Sequence, residues 1–211
     1  MYVHTVRFRD LRPPKSDTNL FSYHLNKLVK NGLVLKVDGG YTLNLLGLSY
    51  VDRVGTKDKT IQMQPKIITM LLIQNSDGDI LLQRRIKQPY IHAWTLPYGT
   101  LGINDPSIIL AAKRAVREKL RLQNQAMRHI GDCYIRVQAD SHMLSTTLAH
   151  IFKFNCDDIA TSDTMMWARP HKLREYVLAP AVEEIVSRGF FNDPFFFEEF
   201  DVSWSISKKA S

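Results

Sequence analysis

Apolar residues near the amino terminus recur with the period of an α-helix. Four of them are spaced i, i+4, i+7 and i+8, and therefore share one face: Phe21, Leu25, Leu28 and Val29. The pattern predicts a helix over residues 19–31, with Asp17 or Thr18 as its cap and Asn31-Gly32 as its stop.

Two shorter elements are predicted on either side of this helix. A helix over residues 5–12 would be closed by Pro13-Pro14. Residues 33–37 and 41–43 are rich in apolar side chains and flank Asp38-Gly39-Gly40, which has the composition of a tight hairpin turn. The predicted order is therefore helix, helix, hairpin.

Beyond residue 65 the pattern predicts a mixture of strands and helices. In chain order these are strands over 67–74 and 80–84, a helix over 106–120, strands over 128–137 and 147–154, and a helix over 179–188. Residues 55–65 are polar and end in Pro65, which is typical of a linker. We expect an α+β chain with two domains, residues 1–60 and 61–211.

The first domain resembles a winged helix-turn-helix. The run FSYHLNKLVKNGLVLKVDGGYTL, residues 21–43, is similar to the recognition helix and wing of the ArsR-like group. The resemblance implies binding to double-stranded DNA, with the helix in the major groove and the wing along the backbone. Winged helices usually carry another helix first. Because fewer than twenty residues precede Asn19, we expect that helix to be missing.

The polar face of the predicted recognition helix supplies the candidate DNA contacts. They are five side chains that point away from the apolar stripe and one lysine of the wing: Ser22, Tyr23, Asn26, Lys27, Lys30 and Lys36. Such side chains can reach base edges and phosphates. A protein–protein module or a domain that serves only in dimerisation is the alternative.

The charge distribution supports a polyanionic partner for the first domain. The chain has a formal net charge of +7. Residues 1–60 contain ten Lys and Arg against five Asp and Glu, whereas the remaining residues contain eighteen against sixteen. Most of the excess therefore belongs to the smaller domain, as expected if it meets nucleic acid. A basic surface that serves only solubility would have the same composition.

The second domain resembles the Nudix family. The stretch WTLPYGTLGINDPSIILAAKRAVREKLRL, residues 94–122, is similar to the Nudix box, in which a Gly-rich loop leads to a helix with an Arg-Glu pair, a Glu-Glu pair and a glycine. The resemblance implies a Nudix-type α/β/α sandwich, a nucleotide-type ligand, and hydrolysis of diphosphate linkages with Mg²⁺. Gly99 matches the leading glycine, Arg114 the arginine, and Asp105 lies near the acid of the loop.

The carboxylates of the box are largely replaced in this chain. Ala115 takes the first Glu position, Glu118 and Lys119 take the Glu pair, and Arg121 takes the glycine. Residues spaced i, i+3 and i+4 share a helix face, so three carboxylates would converge on one metal. Two unit charges about 4 Å apart interact by roughly 4 kcal/mol at an effective dielectric of 20. With an ammonium in place of a carboxylate, we expect Mg²⁺ binding to be weak or absent.

Two acids of this region have two interpretations each. Glu118 is the candidate catalytic and metal-binding carboxylate, or an ion-pair partner of Arg114 and Arg121. Asp105 is a candidate metal ligand or, because Pro106 follows it, the N-cap of the helix.

The candidate phosphate-binding residues are Arg84, Arg85, Lys119 and Gly99. Lys119 would replace part of the metal's charge and hold a phosphate directly. For Arg85 the alternative is that its side chain points outward into water. Trp94 is interpreted as packing. Other carboxylates that could complete a metal site are Glu183, Glu184 and Asp140, although no spacing selects among them. The histidines show no HxH or HxxxH spacing, so no metal-binding role is expected for them.

The carboxyl-terminal segment is rich in aromatic rings: Phe190, Phe191, Phe195, Phe196, Phe197, Phe200 and Trp204. Exposing so many apolar rings to water together is unfavourable. We expect this tail to pack on the body of the protein or on a second copy, covering the winged helix where its first helix is missing. A homodimer is the expected assembly.

Composition also restricts the compartment. Cys133 and Cys156 are far apart and outside any CxxC pattern, which argues against a disulfide scaffold or a thiolate zinc site. No apolar run approaches the roughly 18–20 residues that span a bilayer, and the amino terminus lacks the shape of a secretory signal. We expect a cytoplasmic protein without membrane contact.

Three functions follow from these patterns. The first is a regulator in which the winged helix binds DNA and the Nudix-like domain senses a nucleotide or nucleotide-sugar ligand, with weak or no hydrolysis. The second is a Mg²⁺-dependent hydrolase of a nucleoside diphosphate linked to another moiety. The third is a structural or dimerisation role for both domains. The altered box and the charge distribution favour the first.

Overall fold

The structure is a computed structural model that describes residues 5–51, 64–123, 125–139, 142–190 and 195–204, without the side chains of residues 49–51. The chain forms two compact units, Met1–Met63 and Gln64–Ser211. The predicted linker over residues 55–65 lies outside the described residues except for its last two positions.

The first unit contains three helices and a hairpin among its described residues: α1 (Phe8–Leu11), α2 (Thr18–Lys30), β1 (Val34–Val37), β2 (Gly40–Leu43) and α3 (Leu45–Val51). The carboxylate of Asp17 accepts a hydrogen bond from the backbone N–H of Leu20 at 2.7 Å, which caps α2. Strands β1 and β2 pair antiparallel, and Gly39 supplies a left-handed turn residue with φ 87°. These elements agree with the sequence pattern.

Two features of the first unit were not predicted. Helix α1 is a single turn, and Val6 before it pairs with Tyr41 of the hairpin through two backbone hydrogen bonds of 2.9 Å. Helix α3 follows the hairpin, and its Gly47 packs so tightly on Leu33 that an added Cβ would lie 2.1 Å from the Leu33 carbonyl oxygen. This tertiary contact has no signature in local periodicity.

The second unit contains eight strands and two α-helices among its described residues. The strands are β3 (Lys66–Gln74), β4 (Ile80–Arg84), β5 (Trp94–Thr95), β6 (Tyr98–Thr100), β7 (Arg128–Ala139), β8 (His142–Asn155), β9 (Met165–Ala168) and β10 (Phe196–Ser203). The helices are α4 (Ile108–Leu120) and α5 (Val182–Phe190), with a 3₁₀ helix at Pro170–Glu175.

These strands form one mixed sheet in the order β10-β7-β8-β3-β4-β5, with β6 paired to β3 and β9 to β4. Strand β3 is buried on both faces. Its Ile68, Met70 and Leu72 belong to one apolar cluster with residues of α5, while Leu71 and Ile73 belong to a second cluster with residues of α4. The unit is therefore an α/β/α sandwich, as predicted.

The aromatic tail is part of this sheet. Strand β10 pairs parallel with β7, and its burial alternates residue by residue. Phe196, Phe200 and Trp204 pack against the core of the second unit. The tail therefore packs on the body of the second unit, which was one of the two arrangements expected for it, and its contact with the winged helix stays a prediction.

Among the described residues, no helix has the length and apolar character needed to cross a bilayer.

Candidate functional site

Helix α4 and the loop before it are held together by one arginine. Ser107 caps the helix by accepting a hydrogen bond from Leu110 N–H at 3.3 Å, so the prediction of Asp105 as the N-cap was wrong. Asp105 instead accepts two hydrogen bonds from Arg114, from Nε at 2.9 Å and Nη2 at 2.7 Å, and a third from Gly102 N–H at 2.7 Å. The hydrogen bonds from Arg114 have the largest effect and the one from Gly102 the next, and together they hold the pKa of Asp105 below its ordinary value.

The same arginine contacts the surviving acid of the helix. Arg114 Nη1 lies 3.3 Å from a carboxylate oxygen of Glu118, one turn further along α4. The Glu118 side chain remains 57% exposed. This acid is thus both an ion-pair partner of Arg114 and accessible from solvent, so both interpretations of Glu118 stay open.

Ala115 is buried where α4 packs against β6. It is 1% exposed. A Cβ added to Gly99 would lie 2.5 Å from the Cβ of Ala115. Gly99 therefore allows β6 and α4 to approach closely, and its observed role is packing.

Three cations surround the ring of Tyr98. The amino group of Lys119 lies 4.9 Å from the ring centroid, that of Lys66 lies at 5.4 Å, and the guanidinium of Arg85 at 5.3 Å. Lys119 also donates a hydrogen bond to Gln83 Oε1 at 3.1 Å, and Arg85 donates to the hydroxyl of Tyr98 at 3.2 Å. We call Lys66, Arg85 and Lys119 the cation cluster.

The electrostatics of the cation cluster favour an added anion. Burial lowers the pKa of Lys119 below its ordinary value, and the charges of Arg85 and Lys66 lower it further, against the opposite effect of Glu118. Like charges that are gathered in one place repel each other. An anion bound among them would relieve this repulsion and raise the pKa again.

The two arginines at the end of β4 have different surroundings. Arg84 is exposed, whereas Arg85 is half-buried between the rings of Tyr90 and Tyr98, each 5.3 Å from its guanidinium carbon. The alternative in which Arg85 points outward into water was therefore wrong. Its Nε is buried without a hydrogen-bond partner among the described residues.

A small cavity of about 60 Å³ adjoins the cation cluster on the α5 side of the sheet. Arg85, Tyr90 and Tyr98 line it together with Ser145 and Thr147. The hydroxyl groups of Tyr90 and Ser145 lie 2.6 Å apart, and burial raises the pKa of Tyr90. This volume suits a phosphate-sized group better than a whole nucleotide, since ligand pockets usually reach roughly 300 Å³ or more.

The other carboxylates considered for a metal site are not gathered at α4. Glu183 and Glu184 lie on α5, which packs with the opposite face of the sheet, and Glu183 pairs with Arg174 at 2.6 Å. Asp140 lies outside the described residues. Trp94 is partly buried against the core, as its packing interpretation expects.

The predicted DNA-contacting residues lie on the surface of the first unit. Tyr23, Asn26, Lys27, Lys30 and Lys36 are exposed, and Ser22 is half-buried. The amino group of Lys27 lies 4.9 Å from the centroid of the Tyr23 ring. Tyr23, Asn26, Lys27 and Lys30 form a basic and aromatic face on α2, while Lys36 lies on β1.

Comparison with known proteins identifies the second unit. A model of the NUDIX domain matches residues 63–190, which is more than half of the chain. The chain belongs to the Nudix family. The MutT protein from Bacillus halodurans has a similar structure, with a TM-score of 0.53 and 16% identity over 65% of this chain and 90% of that one. At this identity the likeness concerns the fold.

Two solved structures from Shewanella oneidensis also match. The NUDIX domain of NrtR complexed with ADP ribose has a TM-score of 0.49 and 14% identity over 67% of this chain and 95% of that one. NrtR complexed with a 27mer DNA has a TM-score of 0.48 and 15% identity over 58% and 59%. No curated protein matches the sequence.

The Nudix helix of this chain keeps the backbone of the box while changing its charge. Arg121, at the glycine position, ends α4 in the left-handed conformation with φ 57°, which a glycine adopts without strain. Ala115 is buried, Glu118 is exposed, and Lys119 joins the cation cluster. Of the positions that carry the Glu pair in the box, one therefore presents a carboxylate to solvent, from Glu118, and the other an ammonium to the ring of Tyr98, from Lys119.

Arg85 and Lys119 were predicted from the sequence as candidate phosphate-binding residues, whereas Lys66 and Tyr98 were not. Tyr98 directly precedes Gly99, which pairs with Thr69 of β3, and Lys66 begins β3. Their proximity depends on the pairing of β6 with β3. A tyrosine beside the leading glycine of the box was the available signal.

Proposed function

We propose that the Nudix domain is a sensor that binds the diphosphate of a nucleotide or nucleotide-sugar ligand with the cation cluster, with weak or no hydrolysis. One observation carries this proposal: Lys119 stands at a position of the Glu pair and shares the ring of Tyr98 with Arg85 and Lys66. Three positive charges can hold a diphosphate where relatives use metal-bound carboxylates.

The residues that would hold Mg²⁺ in a Nudix enzyme are a poor fit here. Glu118 is the remaining carboxylate of the box positions, and it already contacts Arg114. Asp105 uses both of its oxygens on Arg114. A divalent ion beside Lys119 would meet repulsion, so any Mg²⁺ would be held weakly through Glu118.

The first experiment measures ligand binding without metal. ADP-ribose, ADP and inorganic phosphate are titrated into the full chain in EDTA by calorimetry. We expect ADP and ADP-ribose to bind, and Lys119→Glu to weaken their binding at least roughly tenfold through charge reversal. Lys113→Glu is the matched control, because Lys113 is an exposed lysine of the same helix.

We further propose that the first unit binds double-stranded DNA through the exposed face of α2, and that ligand binding to the Nudix domain changes this affinity. The cap, the hairpin and the basic face of α2 support a winged helix. The full chain, as the homodimer expected from the sequence, would then be a regulator. Equal DNA affinity with and without saturating ADP-ribose would argue against coupling.

The competing candidate is a Mg²⁺-dependent Nudix hydrolase, and the exposure of Glu118 favours it. Phosphate or mononucleotide release from nucleoside diphosphates linked to sugars, with Mg²⁺ or Mn²⁺, tests this candidate. If turnover is robust and Glu118→Gln abolishes it, the hydrolase is correct and the sensor proposal fails. Binding in EDTA without turnover supports the sensor.

A further inference from the structure

Two histidines and an aspartate converge on the outer part of the Nudix sheet. His129 Nε2 lies 2.8 Å from Asp132 Oδ1, and His150 Nδ1 lies 2.6 Å from the same oxygen. One ligand atom from each residue lies within 4.8 Å of the others. We call these three residues the histidine–aspartate cluster.

A β-bulge creates this cluster. Residues three apart in a regular strand point to opposite faces. Strand β7 has a register shift between His129 and Gly131, so that His129 pairs with Phe152 and Asp132 pairs with His150. Phe152 and His150 are two residues apart and share a face. The extra residue in β7 therefore brings His129 and Asp132 onto that face together.

The surroundings hold the two imidazole rings in place. The ring of His129 stacks on Phe152 with centroids 4.7 Å apart and meets Phe195 edge-on at 5.1 Å. The side chains of His150, Asp132 and His129 are 10%, 23% and 32% exposed, so the cluster is partly shielded but open on one side.

The nearest basic residues of these strands lie on the other face. Arg128 and Lys153 pair with each other one position away from His129 and Phe152. The amino group of Lys153 donates to the carbonyl of Gly189 in α5, which confirms that it points toward that helix. The histidine–aspartate cluster therefore lies on a face from which these two cations are excluded.

We propose that His129, Asp132 and His150 form a binding site for a divalent transition-metal ion, with Zn²⁺ as the ion their chemistry fits. Zinc bound by imidazole and carboxylate has bonds of roughly 2.0–2.2 Å, which places its ligand atoms about 3.3–3.5 Å apart. Small side-chain shifts would open the two His–Asp contacts to that spacing. In each neutral imidazole the proton can reside on the ring nitrogen that faces away from the metal. The nitrogen that faces the metal then offers its lone pair, and the ring keeps its proton.

Three protein ligands leave a fourth position for water or another ligand on the open side. The site differs in kind from the magnesium position of a Nudix box, because imidazole nitrogens select transition metals whereas Mg²⁺ prefers oxygen. It rests on the histidine–aspartate cluster alone and stands whether or not the diphosphate proposal is correct.

Zinc titration of the full chain against a chromophoric chelator tests this site. We expect one Zn²⁺ per chain, unaffected by millimolar Mg²⁺, and a Co²⁺ derivative with the visible absorption of nitrogen and oxygen ligation. His129→Gln and Asp132→Asn should each weaken binding at least roughly tenfold, as expected when one of three ligands is lost.

His92→Asn is the matched control, because His92 is exposed, lies outside the cluster, and has a left-handed φ of 68° that asparagine tolerates. Circular dichroism checks that the variants fold, and His129, the most exposed of the three residues, is the decisive position if Asp132→Asn is unstable. Absence of stoichiometric binding by the parent chain, or an affinity within twofold of the parent in His129→Gln, would overturn the proposal.

Discussion

Lys119 is a residue whose protonation controls the charge of the proposed binding site. Burial and two neighbouring cations lower its pKa, so the amino group becomes neutral at a lower pH than an ordinary lysine. Its charge is present below that pKa and disappears as the pH rises through it. The site is therefore strongest as an anion receptor at neutral and acidic pH.

We expect the affinity for ADP in EDTA to fall as the pH is raised from about 7 toward 10, earlier than a lysine of ordinary pKa would allow. Calorimetry across this range measures the decrease. In Lys119→Arg the decrease should be smaller and should begin at higher pH, because a guanidinium keeps its charge. A pH profile that is identical in both proteins would show that Lys119 does not contact the ligand.

The contact between Gly99 and Ala115 is a second single-residue determinant. Gly99→Ala adds a methyl group 2.5 Å from the Cβ of Ala115, and such overpacking typically costs about 1–3 kcal/mol. We expect urea unfolding to show a loss of this size. In the double variant with Ala115→Gly the contact is relieved, so the two losses should not add. If the losses of unfolding free energy in the two single variants add in the double variant, the contact between positions 99 and 115 is not the source of the strain.

At the scale of elements, strand β10 shows how one segment can serve two environments. Its alternating burial places Phe200 toward the core, whereas Phe197 is 60% exposed. The strand closes the open edge of β7 with backbone hydrogen bonds and covers the sheet with Phe196 and Phe200. The remaining apolar rings, Phe195 and Phe197, are left on the surface.

We expect Phe200→Ala to lower the free energy of unfolding by about 1–3 kcal/mol, less than the full cost of a completely buried phenylalanine. Phe197→Ala in the same strand should change it by less than about 0.5 kcal/mol. Chemical denaturation of both variants measures the difference. Equal effects would mean that the exposed ring is covered, as a second copy of the chain would cover it.

At the scale of the whole molecule, the proposal joins a basic unit to an anion-binding unit. In the proposed function, the excess of positive charge in the first 60 residues would attract DNA, and the cation cluster of the Nudix domain would attract the diphosphate of a nucleotide. A variant that weakens DNA binding should leave nucleotide binding unchanged, and the reverse, unless the ligand couples the two binding events. Binding of DNA and binding of nucleotide are therefore measured on the same set of variants.

We expect the double variant Lys27→Glu and Lys30→Glu to weaken DNA binding and to reduce the slope of log affinity against log salt by about 1–2, since each lost phosphate contact removes roughly 0.9. Filter binding of the full chain at several salt concentrations measures this slope. Lys113→Glu, in the second unit, is the control and should leave it unchanged. An unaltered slope in the double variant would exclude α2 as the DNA contact.

The sequence determined the elements that depend on local chemistry. The stripe of α2 and its Asp17 cap, the Gly39 turn, and α4 with its altered box were all recognisable because periodicity, caps and turns are properties of neighbouring residues. The family was recognisable for the same reason, since the Nudix box is a continuous run. The loss of two box carboxylates was also readable directly.

Tertiary structure decided everything that depends on strand pairing and packing. The pairing of β6 with β3 brought Tyr98 and Lys66 to Lys119, and the bulge in β7 brought His129 to Asp132 and His150. The carboxylate of Asp105 accepts hydrogen bonds from Arg114, and the amino-terminal end of α4 is capped by Ser107 instead. Most of these contacts join residues that are distant in sequence, and the contact between His129 and Asp132 depends on an irregularity of strand pairing, so no local pattern specifies them.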